Sequence, residues 1–138
     1  YAAYDDSGKL VGVALEAMGQ GYGGAIETLF GYDPVTGSIV GFNVLGSLET
    51  PGLGDRIGKD PEFLANFNAL DATLAPDGSG LSHTIAWVKQ GTKQNPWEVD
   101  GISGATISSK AVADMIDARC REILPVIQAN LDILKGGA

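Results

Sequence analysis

The sequence predicts an α+β domain in which an antiparallel sheet packs with a short helix and a long C-terminal helix. Three observations lead to this prediction. Hydrophobic residues alternate along several segments near the N-terminus, and short turn-forming clusters separate those segments. Apolar residues near the C-terminus recur with a helical period. The strands come first and the long helix last, whereas a doubly wound sheet alternates strands with helices.

The predicted sheet is a meander of consecutive strands. Its four strands are expected at residues 1–4, 10–18, 25–32 and 38–49. A glycine-rich loop at residues 19–24 and a turn at residues 33–37 separate the longer strands. Because these connections are short, neighbouring strands are expected to run antiparallel.

The second half of the sequence predicts two helices and one more strand. An acidic N-cap and a proline within residues 60–62 predict a short helix that continues through residue 68. Residues 82–88 are expected to form a strand, and residues 89–105 a loop. From residue 107 onward the apolar period is 3.6, and Pro125 is expected to kink or divide this long helix.

The composition excludes several functions. Nine Lys and Arg residues stand against 17 Asp and Glu residues, and the formal net charge is −8. We therefore expect no nucleic-acid partner, because a basic surface is needed to neutralise phosphates. One cysteine, Cys120, and one histidine, His83, exclude an internal disulfide and metal sites that need two of either residue. No run approaches the roughly 18 apolar residues of a membrane span.

The most informative segment is residues 100–109, Asp-Gly-Ile-Ser-Gly-Ala-Thr-Ile-Ser-Ser. This hydroxyl-rich loop of small residues runs into the N-terminus of the long helix, where unpaired N–H groups and the helix dipole favour an anion. The first turn contains Lys110 and no acid before Asp114. From these residues alone, a phosphate site and a plain helix capped by Ser108 or Ser109 both stay open.

Three segments, in this order along the chain, resemble the signatures of the FMN-binding domain family. Residues 21–26 read Gly-Tyr-Gly-Gly-Ala-Ile, residues 49–54 read Glu-Thr-Pro-Gly-Leu-Gly, and residues 103–108 read Ser-Gly-Ala-Thr-Ile-Ser, which is similar to the family's flavin-attachment motif. The family includes the G subunit of the Rnf electron-transport complex and the C subunit of the sodium-translocating NADH:quinone oxidoreductase. The resemblance covers about residues 21 to 109.

The resemblance implies that Thr106 holds FMN covalently through a phosphoester bond. A flavin transferase would form this bond with FAD as donor and AMP as the released product. The helix N-terminus would offset the charge of the phosphodiester. No catalytic residue and no metal ligand are implied. The other implied FMN contacts are Ser103, Gly104, Ala105, Ile107 and Ser108 near the threonine, and Glu49, Thr50, Leu53, Gly54, Tyr22 and Lys89 near the ring.

The residue chemistry near the ring agrees with this implication. Leu53 offers an apolar cover for a planar ring, and Thr50 offers a hydroxyl for its pyrimidine edge. Lys89 would offset the negative charge of reduced flavin. For residues 21–24, a second wall of the site and a simple bulge both stay open; Tyr22 is the aromatic residue there that can contact a ring.

The resemblance implies an electron-transfer domain of a membrane-bound, ion-translocating redox complex, with the other subunits of that complex as partners. We expect it on the extracytoplasmic (periplasmic) side of the membrane. The chain begins without Met, and residues 1–138 are expected to be a single domain excised from a longer, membrane-anchored protein. Two alternatives stay open: a flavinylated module of an extracytoplasmic reductase or regulatory protein, and a domain that binds a small ligand noncovalently.

Overall fold

Tight turns join the consecutive N-terminal strands, and the computed structural model, which describes residues 1–136, confirms the predicted α+β class. Five strands form an antiparallel sheet in sequence order. They are β1 (Ala2–Tyr4), β2 (Leu10–Gln20), β3 (Ala25–Asp33), β4 (Ser38–Ser47) and β5 (Leu70–Asp71). The helices are α1 (Pro61–Leu64), α2 (Thr106–Ala129) and α3 (Leu131–Gly136).

The hydrophobic core lies between one face of this sheet and α2. Val13 pairs with Tyr32, and Leu15 pairs with Phe30, so alternate residues of β2 and β3 present one buried face. On α2, the buried residues recur every three or four positions; they include Val112, Ile116, Cys120 and Leu124. This packing fixes the N-terminus of α2 beside the end of the sheet.

The short helix has the predicted start but a different second half. The Asp60 carboxylate accepts a hydrogen bond from the Glu62 N–H at 2.9 Å, and Pro61 occupies the first helical position. After α1 the chain continues as a 3₁₀ turn, Ala65–Asn68. Phe67 stacks on Phe42 of β4 with ring centroids 4.4 Å apart, which holds this segment against the sheet.

The strand predicted at residues 82–88 is shorter than expected, and a further strand lies in the predicted loop. β6 (Ala86–Val88) pairs in parallel with β7 (Glu98–Asp100). The Ile85 N–H donates to the Asp117 carboxylate on α2 at 2.9 Å instead of joining a strand. The prediction was therefore wrong for residues 82–85, because a side chain distant in sequence binds this backbone.

Pro125 does not divide the long helix. α2 runs from Thr106 through Pro125 to Ala129, so of the two expectations for this proline, a kink or a division, the division is wrong. The proline removes only the hydrogen bond to the carbonyl of Arg121, an exposed residue. The helix ends instead at Asn130, whose side-chain amide donates to the Val126 carbonyl at 2.8 Å. Across residues 1–136, no helix is both long enough and apolar enough to cross a membrane.

Cys120 should be chemically inert in the native protein. Burial raises the pKa of its thiol to about 12, which suppresses the thiolate that reacts with alkylating agents. We expect no labelling by iodoacetamide near pH 8 in buffer and complete labelling of the same sample in denaturant, measured by intact mass. Stoichiometric labelling of the folded protein would contradict this prediction.

Candidate functional site

A cleft of about 390 Å³ lies where the β2–β3 loop, the segment after β4 and the N-terminus of α2 meet. Its volume falls within the usual range for small-molecule sites. Ten of the twelve residues that the sequence analysis names as cofactor contacts line it: Tyr22, Glu49, Thr50, Leu53, Gly54, Gly104, Ala105, Thr106, Ile107 and Ser108. The fold thus brings three separate motifs together, and the contact of each residue with a flavin stays a prediction.

The other two predicted contacts, Ser103 and Lys89, are exposed and lie outside the cleft lining. The Ser103 N–H donates to the Gln90 side chain at 2.6 Å. The Lys89 carbonyl accepts hydrogen bonds from Thr92 in a local turn. Lys89, which was expected to face the ring, is therefore not among the residues that line the cleft, and its role stays a prediction.

The carboxylate of Glu49 holds one wall of the cleft together. Glu49 is buried, and its two oxygens accept hydrogen bonds from the backbone N–H groups of Tyr22 and Gly23 at 2.9 and 2.6 Å. Such charge-assisted bonds are among the stronger ones in proteins. They tie the β2–β3 loop to the segment that follows β4.

Glycine is required in the β2–β3 loop because the Glu49 segment approaches so closely. A Cβ atom on Gly21 would overlap the Glu49 carboxylate, and one on Gly23 would overlap the Leu48 carbonyl. The Gly21 N–H donates to the Gly24 carbonyl at 2.8 Å and closes the hairpin. Residues 21–24 are therefore a closed hairpin loop, and of them exposed Tyr22 lines the cleft.

The segment after β4 turns sharply along the cleft. Leu53 N–H donates to the Thr50 carbonyl at 3.1 Å, and Gly52, at φ +76°, has the left-handed conformation that this turn needs. A 3₁₀ segment, Gly54–Gly58, follows. The turn leaves 52% of Leu53 exposed, so an apolar side chain lines the open side of the cleft.

The N-terminus of α2 is uncapped. Ala105 occupies the N-cap position, no side chain caps the helix, and the first turn contains no acid. Ser109 N–H donates to the Ala105 carbonyl at 3.0 Å, whereas the N–H groups of Thr106, Ile107 and Ser108 find no acceptor within residues 1–136. Capping by Ser108 or Ser109, the plain alternative, is therefore wrong, and the free donors favour an anion.

Ser109 fixes the loop that precedes α2, residues 101–105. Its hydroxyl accepts a hydrogen bond from Trp87 Nε1 at 3.0 Å and donates one to the Ala105 carbonyl at 2.8 Å. The indole of Trp87 lies so close to Gly101 that a Cβ atom there would overlap it. Trp87 packs on the core and also shapes this loop.

Two positioning residues were missed by sequence reasoning. The buried Asn66 amide accepts a hydrogen bond from the Asp100 N–H at 3.0 Å and donates to the Asp100 carbonyl at 2.9 Å, which holds β7 at the start of the loop. Half-buried Arg56 donates hydrogen bonds to the backbone carbonyls of Leu53 and Ser103. The only sequence signal for Arg56 is its place two residues after the 49–54 motif.

Comparisons with known proteins agree with the resemblance. The model of the FMN-binding domain family matches residues 21–119. The G subunit of an ion-translocating oxidoreductase complex from Methanosarcina acetivorans is 37% identical over 119 residues, which cover 84% of this chain and 53% of that protein. The G subunit of a proton-translocating ferredoxin:NAD(+) oxidoreductase complex from Clostridium ljungdahlii is 35% identical over 112 residues, which cover 81% and 52%.

Among solved structures, the crystal structure of NqrC from Shewanella oneidensis matches with a TM-score of 0.71 at 29% sequence identity. The match covers 98% of this chain and 59% of that one. The resemblance seen in the sequence is thus confirmed at the level of the family and the fold. The chain spans about half the length of the curated relatives it matches.

Replacing Gly54 by Ala should destabilise the domain at the cleft. The added Cβ would lie 2.6 Å from Ser108 Oγ and 3.0 Å from Glu49 Cβ, and both of these residues are buried. We expect the free energy of unfolding to fall by roughly 1–3 kcal/mol, as for other overpacked sites, measured by urea denaturation. Gly80→Ala is the matched control, because its Cβ would meet nothing within 4 Å. Equal losses in both variants would contradict the close packing described here.

Proposed function

Because the chain belongs to the FMN-binding domain family, we propose that it is an electron-transfer domain that carries FMN on Thr106 through a phosphoester bond. The observation that supports this proposal most strongly is the position of Thr106. This exposed residue is the first of the 24-residue helix α2, at the edge of the cleft, where three successive N–H groups find no acceptor within residues 1–136. An anchored phosphate and a ring in the cleft are both compatible with this position.

The donor set at the helix start fits a phosphodiester. The free N–H groups of Thr106, Ile107 and Ser108 can donate to its oxygens, and the positive end of the helix dipole offsets its charge. Lys110, the fifth residue of α2, pairs with Asp114, so its charge is partly compensated. No carboxylate in the first turn of α2 opposes the phosphate.

The walls of the cleft fit a planar, partly polar ring. Tyr22, Leu53 and Ile107 are all more than half exposed and line the cleft, so they offer apolar contact area to a ligand. Thr50 adds a hydroxyl at the same surface. Gly54 packs directly on Ser108, so the wall that would face the ring lies against the helix that would hold the phosphate.

In the proposed attachment, the Thr106 hydroxyl loses its proton and Oγ forms a bond to the FMN phosphorus of FAD. The pyrophosphate bond of FAD breaks, and AMP leaves. A flavin transferase carries out this step, so Thr106 is an acceptor and an anchor with no turnover of its own. Its neighbours Gly104 and Ala105 are small, and both Gly104 and Thr106 are exposed, which gives such an enzyme access.

When bound, FMN supplies one- and two-electron transfer. The residues of this chain hold the ring and leave part of the cleft open, which suits transfer to a partner protein. We place the domain in a longer, membrane-anchored subunit of an ion-translocating redox complex, on the extracytoplasmic side. The G subunits of two ion-translocating complexes and NqrC, which match this chain, support that assignment.

Thr106→Ala should abolish covalent flavin without unfolding the domain, because the residue is exposed at the helix start. We expect wild-type protein, co-expressed with a flavin transferase, to gain the mass of one FMN group and to stay yellow after acid precipitation. Thr106→Ser should keep part of the attachment, and Ser103→Ala, in the same exposed loop, should keep all of it. Covalent flavin in Thr106→Ala would overturn the assignment.

Leu53→Ala and Thr50→Val should change the electronics of the flavin but not its attachment. The anchor holds the cofactor at Thr106, whereas these side chains line the ring end of the cleft. Loss of one hydrogen bond costs on the order of 1 kcal/mol, equivalent to about 20 mV for a two-electron couple. A redox titration of each variant beside wild type measures this shift. Unchanged potentials and spectra in both variants would show that the turn is only structural.

A further inference from the structure

The guanidinium group of Arg56 connects the cleft wall that follows β4 to the loop that precedes α2. Nε donates a hydrogen bond to the Leu53 carbonyl at 3.0 Å, and Nη2 donates one to the Ser103 carbonyl at 2.8 Å. Leu53 belongs to the wall that follows β4, and Ser103 lies three residues before Thr106. Within residues 1–136, no other side-chain hydrogen bond joins residues 49–58 to residues 103–108.

Gly104 lies directly beside this connection. Its φ is +81°, a conformation that residues with side chains rarely adopt, and a Cβ atom there would lie 3.2 Å from Arg56 Nη2. The loop that precedes α2 therefore turns at a glycine that lies close against the guanidinium. The guanidinium of Arg56 therefore packs closely against the backbone of Gly104.

The geometry requires arginine rather than any cation. The guanidinium is planar and carries several N–H donors in fixed directions, so one side chain can bind two carbonyls at once. Lysine has a single ammonium group on a flexible stem. Arg56 forms none of the ion pairs within the described chain. Its charge is therefore available beside the loop that leads to the phosphate anchor.

We propose that Arg56 is a positioning residue for the flavin, an inference that rests on the proposed attachment at Thr106. Its two hydrogen bonds set the spacing between the wall that covers the ring and the loop that holds the phosphate. Thr106 fixes one end of the cofactor, and Arg56 fixes the distance from that end to the surface on which the ring lies. Without this link the flavin stays attached but its ring is held loosely.

The test compares Arg56→Met, Arg56→Lys and wild type, each co-expressed with a flavin transferase. Lys59→Met is the matched control, because Lys59 directly follows the same 3₁₀ segment and contacts Asp55 instead of either carbonyl. Intact mass measures attachment, fluorescence anisotropy measures the mobility of the attached ring, and a redox titration measures its potential. Amide hydrogen exchange at residues 103–105 measures the loop itself.

We expect complete attachment in all four proteins. In Arg56→Met the anisotropy should fall toward that of a freely rotating flavin, the potential should shift, and exchange at residues 103–105 should rise about tenfold, as for the loss of one charged hydrogen bond. Arg56→Lys should resemble Arg56→Met, because it keeps the charge but not the two directed donors. Lys59→Met should match wild type in every measurement.

Unchanged anisotropy and potential in Arg56→Met would overturn the positioning role while leaving the proposed function intact. Wild-type anisotropy and potential in Arg56→Lys would also overturn it, since a positive charge alone would then be enough to position the ring. A wild-type chain that gains no covalent flavin would contradict the proposed function itself, and faster exchange in Arg56→Met would then reveal only a structural link. Urea denaturation of each variant separates these results from simple unfolding.

Discussion

The buried carboxylate of Glu49 accepts two backbone hydrogen bonds from the β2–β3 loop, and the shape of the cleft depends on this contact. A buried carboxylate needs such donors, because an unpaired charge in the interior is costly. The loop can supply them only because Gly21 and Gly23 allow the two backbones to approach closely. The Glu49 carboxylate thus joins the β2–β3 hairpin to the segment after β4 and places Tyr22 at the rim of the cleft.

The second constraint is the start of α2. The sheet buries the apolar side of this helix and so fixes its position, while its first three N–H groups have no partner within the described residues. Ser109 and Trp87 bind the preceding loop on its core side. Arg56 binds the same loop through the Ser103 carbonyl. The core therefore determines where the free donors lie relative to the cleft walls.

Local signals predicted the meander and the long helix, because turn residues and apolar periodicity act over a few positions. They could not predict that residues 82–85 are irregular, since the Ile85 N–H binds Asp117, 32 residues away. β7 was missed because it is only three residues long and pairs with another three-residue strand, too short for a periodic pattern. Ten of the twelve predicted cofactor contacts line the cleft, whereas Ser103 and Lys89 do not. The role of Arg56 could not be predicted from local sequence, because its partner Ser103 is 47 positions away.

The three walls of the cleft come from residue 22, residues 49–54 and residues 104–108, so they lie far apart along the chain. During synthesis, the β2–β4 hairpins contain mainly contacts between near neighbours and can close early. The third wall is in place only after α2 has emerged and docked on the sheet. The complete cleft is therefore a late product of folding, and a cofactor that requires all three walls would recognise finished domains and bypass nascent or misfolded chains.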